Sequence, residues 1–262
     1  MCESFVGRQA IMAANQQDKK KRPLLVRVGK ALRPWFNNFI AKDSLVPNTP
    51  NLDNKLFPWV AALEAAAPLM IKEFQAVMAE RERVPALRDL SPDHRRIAPD
   101  NRWKSFFLYG YGIAVPENCA KAPVTAQLVA GIPGLCSALF SILEPGGEIP
   151  PHKGVTKGML NAHMGLGVPR DRDNCWIQVA DDKLHWDEGK VFVFDDTYRH
   201  TVQNNTDDVR GILFIQFERP TRGLGRLMQR IFLDGVKKSA FVKDAKDNIE
   251  RWNRIQAELE KA

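Results

Sequence analysis

The chain has 262 residues, 44% of them hydrophobic, which is ample for one large core or for a core with an appended helical segment. Its four cysteines (Cys2, Cys119, Cys136, Cys175) are scattered without a CxxC pair, which excludes a disulfide framework or a zinc ribbon and fits a reducing compartment. No apolar signal core and no run of 18 apolar residues occurs, so a soluble, cytoplasmic protein is expected, with peripheral contact at the inner membrane face as an option raised by its net charge of +7.

In chain order, residues 1–58 are basic and then rich in Pro and Asn. Residues 19–42 hold eight Lys/Arg and no acid, interleaved with Leu24, Leu25, Trp35, Phe36, Phe39 and Ile40. Basic segments with aromatics suit an anionic membrane surface; the plainer alternative is a surface helix packed on the core. Residues 59–83 read as a helix interrupted at Pro68, and 117–133 as one or two more helices. From about 135 to 220 the texture changes to five short β-type runs, "LCSALFSIL", "LNAHMGLGV", "CWIQVAD", "KVFVFDD" and "VRGILFIQF". Such runs, separated by turns, predict an antiparallel sandwich or barrel. The tail from 223 returns to helix, and 219–238 is again basic, with Leu224, Leu227, Met228, Ile231 and Phe232 at helical spacing. No nucleic-acid module accompanies the charge, so a nucleic-acid partner is not expected. The chain thus divides into 1–58, 59–222 and 223–262.

The β region carries the chemistry. "EPGGEIPPHKG" (144–154) cannot be helix or central strand, and it leaves His152 at a bend. His163 lies on the second run, His200 follows "DDTYR" at the end of the "KVFVF" strand, and Arg210 opens the last run. Two histidines on different strands of a small barrel can converge on its mouth and bind a redox-active metal such as iron. A buried guanidinium at Arg210 would need a carboxylate partner. His94 and His185 read as ordinary structural or exposed histidines.

Residues 141–218 resemble the aspartyl/asparaginyl β-hydroxylase family of iron(II)- and 2-oxoglutarate-dependent dioxygenases. The resemblance rests on "SILEPGGEIPPHKG", "NAHMGLGVP", "W-x-x-G-K-x-x-x-F-D-D-T-Y-x-H" and "VRGILFIQFERP". "SLVPNTPNLDNKLFPWV" and "FERPTR" look more like the bacterial branch that hydroxylates acyl chains of lipid A or ornithine lipids. The resemblance implies a mainly β fold, a double-stranded β-helix (jelly-roll, cupin-like) with flanking helices. It also implies Fe(II), 2-oxoglutarate and O2 as cofactors and co-substrates, with succinate and carbon dioxide formed as an unactivated C–H bond is hydroxylated.

Carried over by position, His152 and His200 match the iron ligands, Ser141 and Arg210 the pair on the distal oxoglutarate carboxylate, and His163 a contact to the carboxylate near iron. The resemblance makes His152, His200 and Arg210 the core of the catalytic site. Gly154 stands where the common facial triad has an acid; the peptidyl aspartyl hydroxylases also have glycine there, with water taking the vacant position. An aspartate introduced at 154 is accordingly expected still to permit iron binding. Asn161 stands where those relatives place an arginine in the oxoglutarate site, so either Lys153 or Lys157 is expected to supply the charge or oxoglutarate is expected to bind more weakly. The basic aromatic segments favour a lipid acyl substrate. Gly154 favours an aspartyl/asparaginyl residue in a peptide, or a free amino acid. A non-catalytic barrel binding an anion is the third reading.

Overall fold

Alternation of apolar residues gives each strand of the central region two faces; the central strands of the large sheet are covered on both, while the small sheet alternates buried and exposed positions. The computed structural model describes residues 24–91 and 94–259. In chain order these hold α1 (Leu24–Lys42), β1 (Asn51–Leu52), α2 (Trp59–Ala65), α3 (Ala67–Ala79), α4 (Leu87–Leu90), β2 (Trp103–Gly110), β3 (Ile113–Ala114), α5 (Pro116–Lys121) and α6 (Pro123–Ala130). Then come β4 (Leu135–Leu143), β5 (Gly147–His152), β6 (Met159–Gly167), β7 (Cys175–Val179), β8 (Asp182–Leu184), β9 (Val191–Phe194), β10 (His200–Asn204) and β11 (Arg210–Glu218), followed by α7 (Gly223–Lys237) and α8 (Ala240–Leu259). The basic positions before residue 24, with Cys2, lie outside the described residues.

Two antiparallel sheets result. The larger runs β1-β9-β6-β11-β4-β2-β3 and the smaller β5-β10-β7-β8. From β4 onward the chain passes between them in the order of a jelly roll, the double-stranded β-helix expected from the sequence. On the outer face of the large sheet, Phe140, Ile142, Leu160, Ala162, Met164, Leu213 and Ile215 pack against Leu63, Met70 and Phe74 of α2 and α3. The inner face meets the small sheet through Leu143, Phe194 and Ile212 against Ile149, Ile177 and Val202.

The helix over 59–83 breaks at Ala66, and Pro68 falls in the first turn of α3, where its missing N–H costs nothing. Pro116 and Pro123 open α5 and α6 in the same way. All five β-type runs form strands, and β1, β2, β3, β5, β8 and β10 add to them. The proline-rich β5 sits at the edge of the small sheet, where Pro150 and Pro151 leave no required ladder bond unmade. His200 does not end the "KVFVF" strand: β9 stops at Phe194, and after a turn His200 opens β10.

Candidate functional site

Strand β10 pairs with β5 so that His200 lies directly opposite His152. The ring centroids are 4.1 Å apart, at 56°. His152 Nδ1 donates to the Pro150 carbonyl (2.8 Å) and His200 Nδ1 to the Tyr198 carbonyl (3.0 Å). A carbonyl only accepts, so each ring keeps its proton on Nδ1 and offers the Nε2 lone pair, the tautomer a metal ligand needs. Burial, then the neighbouring His200, pushes His152 down to about 4; burial lowers His200 too, so both rings are neutral at pH 7. Among the described residues no group of three His, Cys, Asp or Glu side chains converges to hold a metal.

Beside this pair, the inward-facing positions of β4, β6 and β11 line a second feature. Ser141, His163 and Arg210 are all buried. Trp103 Nε1 donates to Ser141 Oγ (2.9 Å), and Trp186 Nε1 donates to His163 Nδ1 (3.4 Å). The latter bond leaves the His163 proton on Nε2, and that atom has no partner. Nor do Arg210 Nε and Nη2, although Arg210 is 1% exposed, with its guanidinium 5.0 Å from the Trp186 ring. Burial pulls Arg210 down only to about 10, so it stays charged, while burial and then Arg210 hold His163 well below the usual histidine range. Orphaned buried donors around a fixed positive charge suit an anion, because each costs free energy until an acceptor fills it. Phe194 joins the two features, its ring 4.9 Å from His163 and 5.8 Å from His200.

A third group explains Gly154. A side chain at 154 would overlap the carboxylate of Asp196, whose backbone carbonyl also accepts from Gly154 N–H (2.6 Å). The Asp196 carboxyl therefore fills the volume that an acid at 154 would take. An aspartate introduced at 154 would have to displace the Asp196 carboxylate. Burial, and then Asp195, raise Asp196 to about 7, and its Oδ1 has no partner. Asn161 is buried and donates to Asp196 Oδ2 (3.3 Å) while accepting from Gln216 (3.2 Å). Lys157 does not stand in for an arginine at 161: Asp195 holds its ammonium at 2.7 Å, over the Tyr198 ring. Lys153 is exposed.

The structure thus brings His152, His200, Ser141, Asn161, His163 and Arg210 onto facing strands of one barrel. Sequence reasoning gave no role to Trp103, Trp186, Asp195 or Asp196. The last three stand in the quoted "W-x-x-G-K-x-x-x-F-D-D-T-Y-x-H" motif, which was the available signal; Trp103 acts across strands and leaves none in the local pattern. His94 is half-buried and bonded to Ser91, and His185 faces the Cys175 carbonyl. Clefts of about 490 and 280 Å³ lie on another flank, where α8 meets Phe107 and Leu90, and none of the six site residues lines either.

Residues 64–220, more than half of the chain, match the sequence profile of the aspartyl/asparaginyl beta-hydroxylase family. The chain belongs to that family. The ornithine lipid ester-linked acyl 2-hydroxylase of Rhizobium tropici is 35% identical over 230 residues, covering 88% of this chain and 82% of that protein. The human aspartyl/asparaginyl beta-hydroxylase is 32% identical over 123 residues, 45% of this chain and only 16% of the human protein. Among solved structures, a Pseudomonas putida prolyl-4-hydroxylase aligns over 63% of this chain and all of its own, at 16% identity and a TM-score of 0.39. This member of the β-hydroxylase family is a hydroxylase of the oxygenase type.

Proposed function

We propose that the protein is an iron(II)- and 2-oxoglutarate-dependent hydroxylase acting on a fatty acyl chain of a bacterial membrane lipid. The observation that carries this reading is the set of orphaned donors on Arg210 and His163, which suits a dicarboxylate, next to two facing histidines whose Nδ1 atoms are held by backbone carbonyls. His152 and His200 would hold the iron. Arg210, with Ser141, would receive the distal carboxylate of oxoglutarate, because guanidinium offers a two-point fork and the hydroxyl a third bond. His163 Nε2–H is aimed to serve the same anion. Iron held there would supply, with oxoglutarate and O2, the oxidation of a C–H bond coupled to decarboxylation of oxoglutarate to succinate and carbon dioxide, one oxygen atom going to succinate and the other to the product.

The chain's own part is orientation and exclusion of water. The two carbonyl bonds to Nδ1 fix the imidazoles, and the Trp103 bond aims Ser141 Oγ. Phe192, Phe194, Trp186 and Phe214 surround His163 with aromatic rings, which would exclude water from the bound anion. The acyl substrate is supported by a relative that is similar over nearly the whole chain. Cys119, Cys136 and Cys175 are free thiols, which fits the reducing cytoplasm. The peptide or amino-acid reading draws on the shorter match to the human hydroxylase.

Comparison of membrane lipids from cells with and without the protein is expected to reveal a lipid heavier by one oxygen atom only when it is present. Purified protein is expected to form succinate from oxoglutarate with iron, and His152→Ala or His200→Ala to lose that turnover, because among the described residues no third His, Cys, Asp or Glu converges with the pair to offset the loss. Wild-type succinate formation in either variant would remove that histidine from the site. An unchanged lipid profile with hydroxylated aspartyl or asparaginyl residues would favour the peptide reading.

A further inference from the structure

Helix α7 turns its apolar stripe the wrong way for a protein surrounded by water. The side facing the body carries Gly225, Gln229 and Leu233, all buried. Gly225 N–H donates to Asp43 (2.7 Å), and Gln229 donates to the carbonyls of Gly158 (2.8 Å) and Arg219 (3.0 Å). The opposite side carries Leu224, Leu227 and Ile231, which are 48%, 52% and 51% exposed. An amphipathic helix on a soluble core normally shows the reverse arrangement. Helix α1 lies alongside, with Phe36 and Phe232 in ring contact at 6.4 Å, and repeats the pattern at the same spacing. Leu32 and Trp35 are 45% and 50% exposed, Phe39 is half-buried, and Ile40 is the buried anchor. Scattered apolar side chains are ordinary, but two adjacent stripes form a patch.

Charge says what covers it. Helix α7 and its flanking residues expose Arg222, Arg226, Arg230, Lys237 and Lys238 against a single acid, Asp234. An apolar stripe with an indole, bordered by cations, fits the headgroup layer of an anionic bilayer. The face also borders the candidate site. Lys157 N–H donates to Asn37 of α1 (2.9 Å), and Gln229 of α7 holds Gly158, so both helices grip the loop that follows His152. That loop exposes Val155.

We propose that α1 and α7 together form a docking face for an anionic lipid surface, with Trp35, Leu227 and Ile231 entering the interface and the loop at Val155 turned toward the acyl chains. The orientation of that loop toward substrate rests on the acyl-hydroxylase reading; the docking itself does not.

The test uses the full chain and vesicles of phosphatidylcholine alone, or mixed in equal parts with phosphatidylglycerol. At low salt the protein is expected to sediment with the mixed vesicles and not with the neutral ones. Leu227→Asp/Ile231→Asp is expected to lower that binding at least tenfold, and each of Arg226→Gln and Arg230→Gln about fivefold. Tryptophan fluorescence is expected to be quenched by phosphatidylcholine brominated on its acyl chains, and Trp35→Phe to remove most of the quenching. Iron-dependent succinate formation without vesicles is expected to be unchanged in all four variants. Equal binding to both vesicle types, binding that survives Leu227→Asp/Ile231→Asp, or quenching that survives Trp35→Phe would overturn the proposal. So would a solution dimer that the double variant turns into a monomer, because a second copy would then be the occupant. Vesicle binding without succinate formation by the wild type would sink the hydroxylase reading and leave the docking face standing; succinate formation without vesicle binding would do the opposite.

Discussion

Arg210 is the most exacting single position, because a charged side chain has been buried with two of its donors unspent. Lysine in its place would keep the charge but lose the planar fork and reach the anion through one atom. Hydrogen bonds to charged groups contribute roughly 1.5–3 kcal/mol, so Arg210→Lys is expected to raise the oxoglutarate KM about tenfold to a hundredfold. Ser141→Ala removes one neutral donor and is expected to cost less. Steady-state succinate formation at varied oxoglutarate checks both, and an unchanged KM in Arg210→Lys would take Arg210 out of the oxoglutarate site. Arg210, His152 and His200 were legible because turn residues and strand starts single them out in the sequence. Asp196 was not, since its meaning depends on the empty side-chain volume at Gly154, 42 positions earlier in the chain.

At the scale of elements, the site depends on β11, which lies between β4 and β6 and carries Arg210 inward and Gly211 outward. Phe74 of α3 sits directly over Gly211 and also touches the place of a side chain at Gly167, so a methyl group at 211 would run into its ring. Gly211→Ala is expected to destabilise the protein by roughly 1–3 kcal/mol, as overpacking of a filled core does. In a Phe74→Leu background the same change is expected to cost less, which urea unfolding of the four proteins measures. A full penalty in both backgrounds would show that the strain does not come from Phe74. The alternation in "LNAHMGLGV" and "VRGILFIQF" made β6 and β11 legible, because one face of each is hydrocarbon. Strand β5 hid behind its prolines, and β10 behind a turn too tight to separate it from β9 in the sequence. Both are found only through their sheet pairing, β5 with β10 and β10 with β7. The outward stripe of α7 was legible as periodicity, but not which way it faced, because the inward contacts come from Asp43 and Gly158 on distant segments.

Across the whole molecule, one buried ion pair ties the parts around the site together. Arg219 donates to the carbonyls of Lys157 (2.7 Å) and Pro47 (3.2 Å), to Ser44 Oγ (3.3 Å) and to the Asp195 carboxylate. Asp195 also accepts from Lys157 Nζ and from Thr197, and its N–H donates to the Pro50 carbonyl (2.9 Å). The segment after α1, the loop after His152, the turn before His200 and the end of β11 therefore meet at two side chains, neither exposed at all. Removing one partner of such a pair leaves an uncompensated charge in the interior, at a cost of about 3–5 kcal/mol. Asp195→Asn is expected to lose that much stability. Lys157→Met is expected to lose much less, because its ammonium is partly exposed and Arg219 still neutralises Asp195. Combining Asp195→Asn with Arg219→Gln is expected to cost less than the sum of the two single changes, since the second removes the charge the first had stranded. Urea unfolding of the wild type, both singles and the double closes this cycle. Additive losses would mean that Asp195 and Arg219 act separately, and that the turn before His200 is held by Thr197 and the Pro50 bond instead.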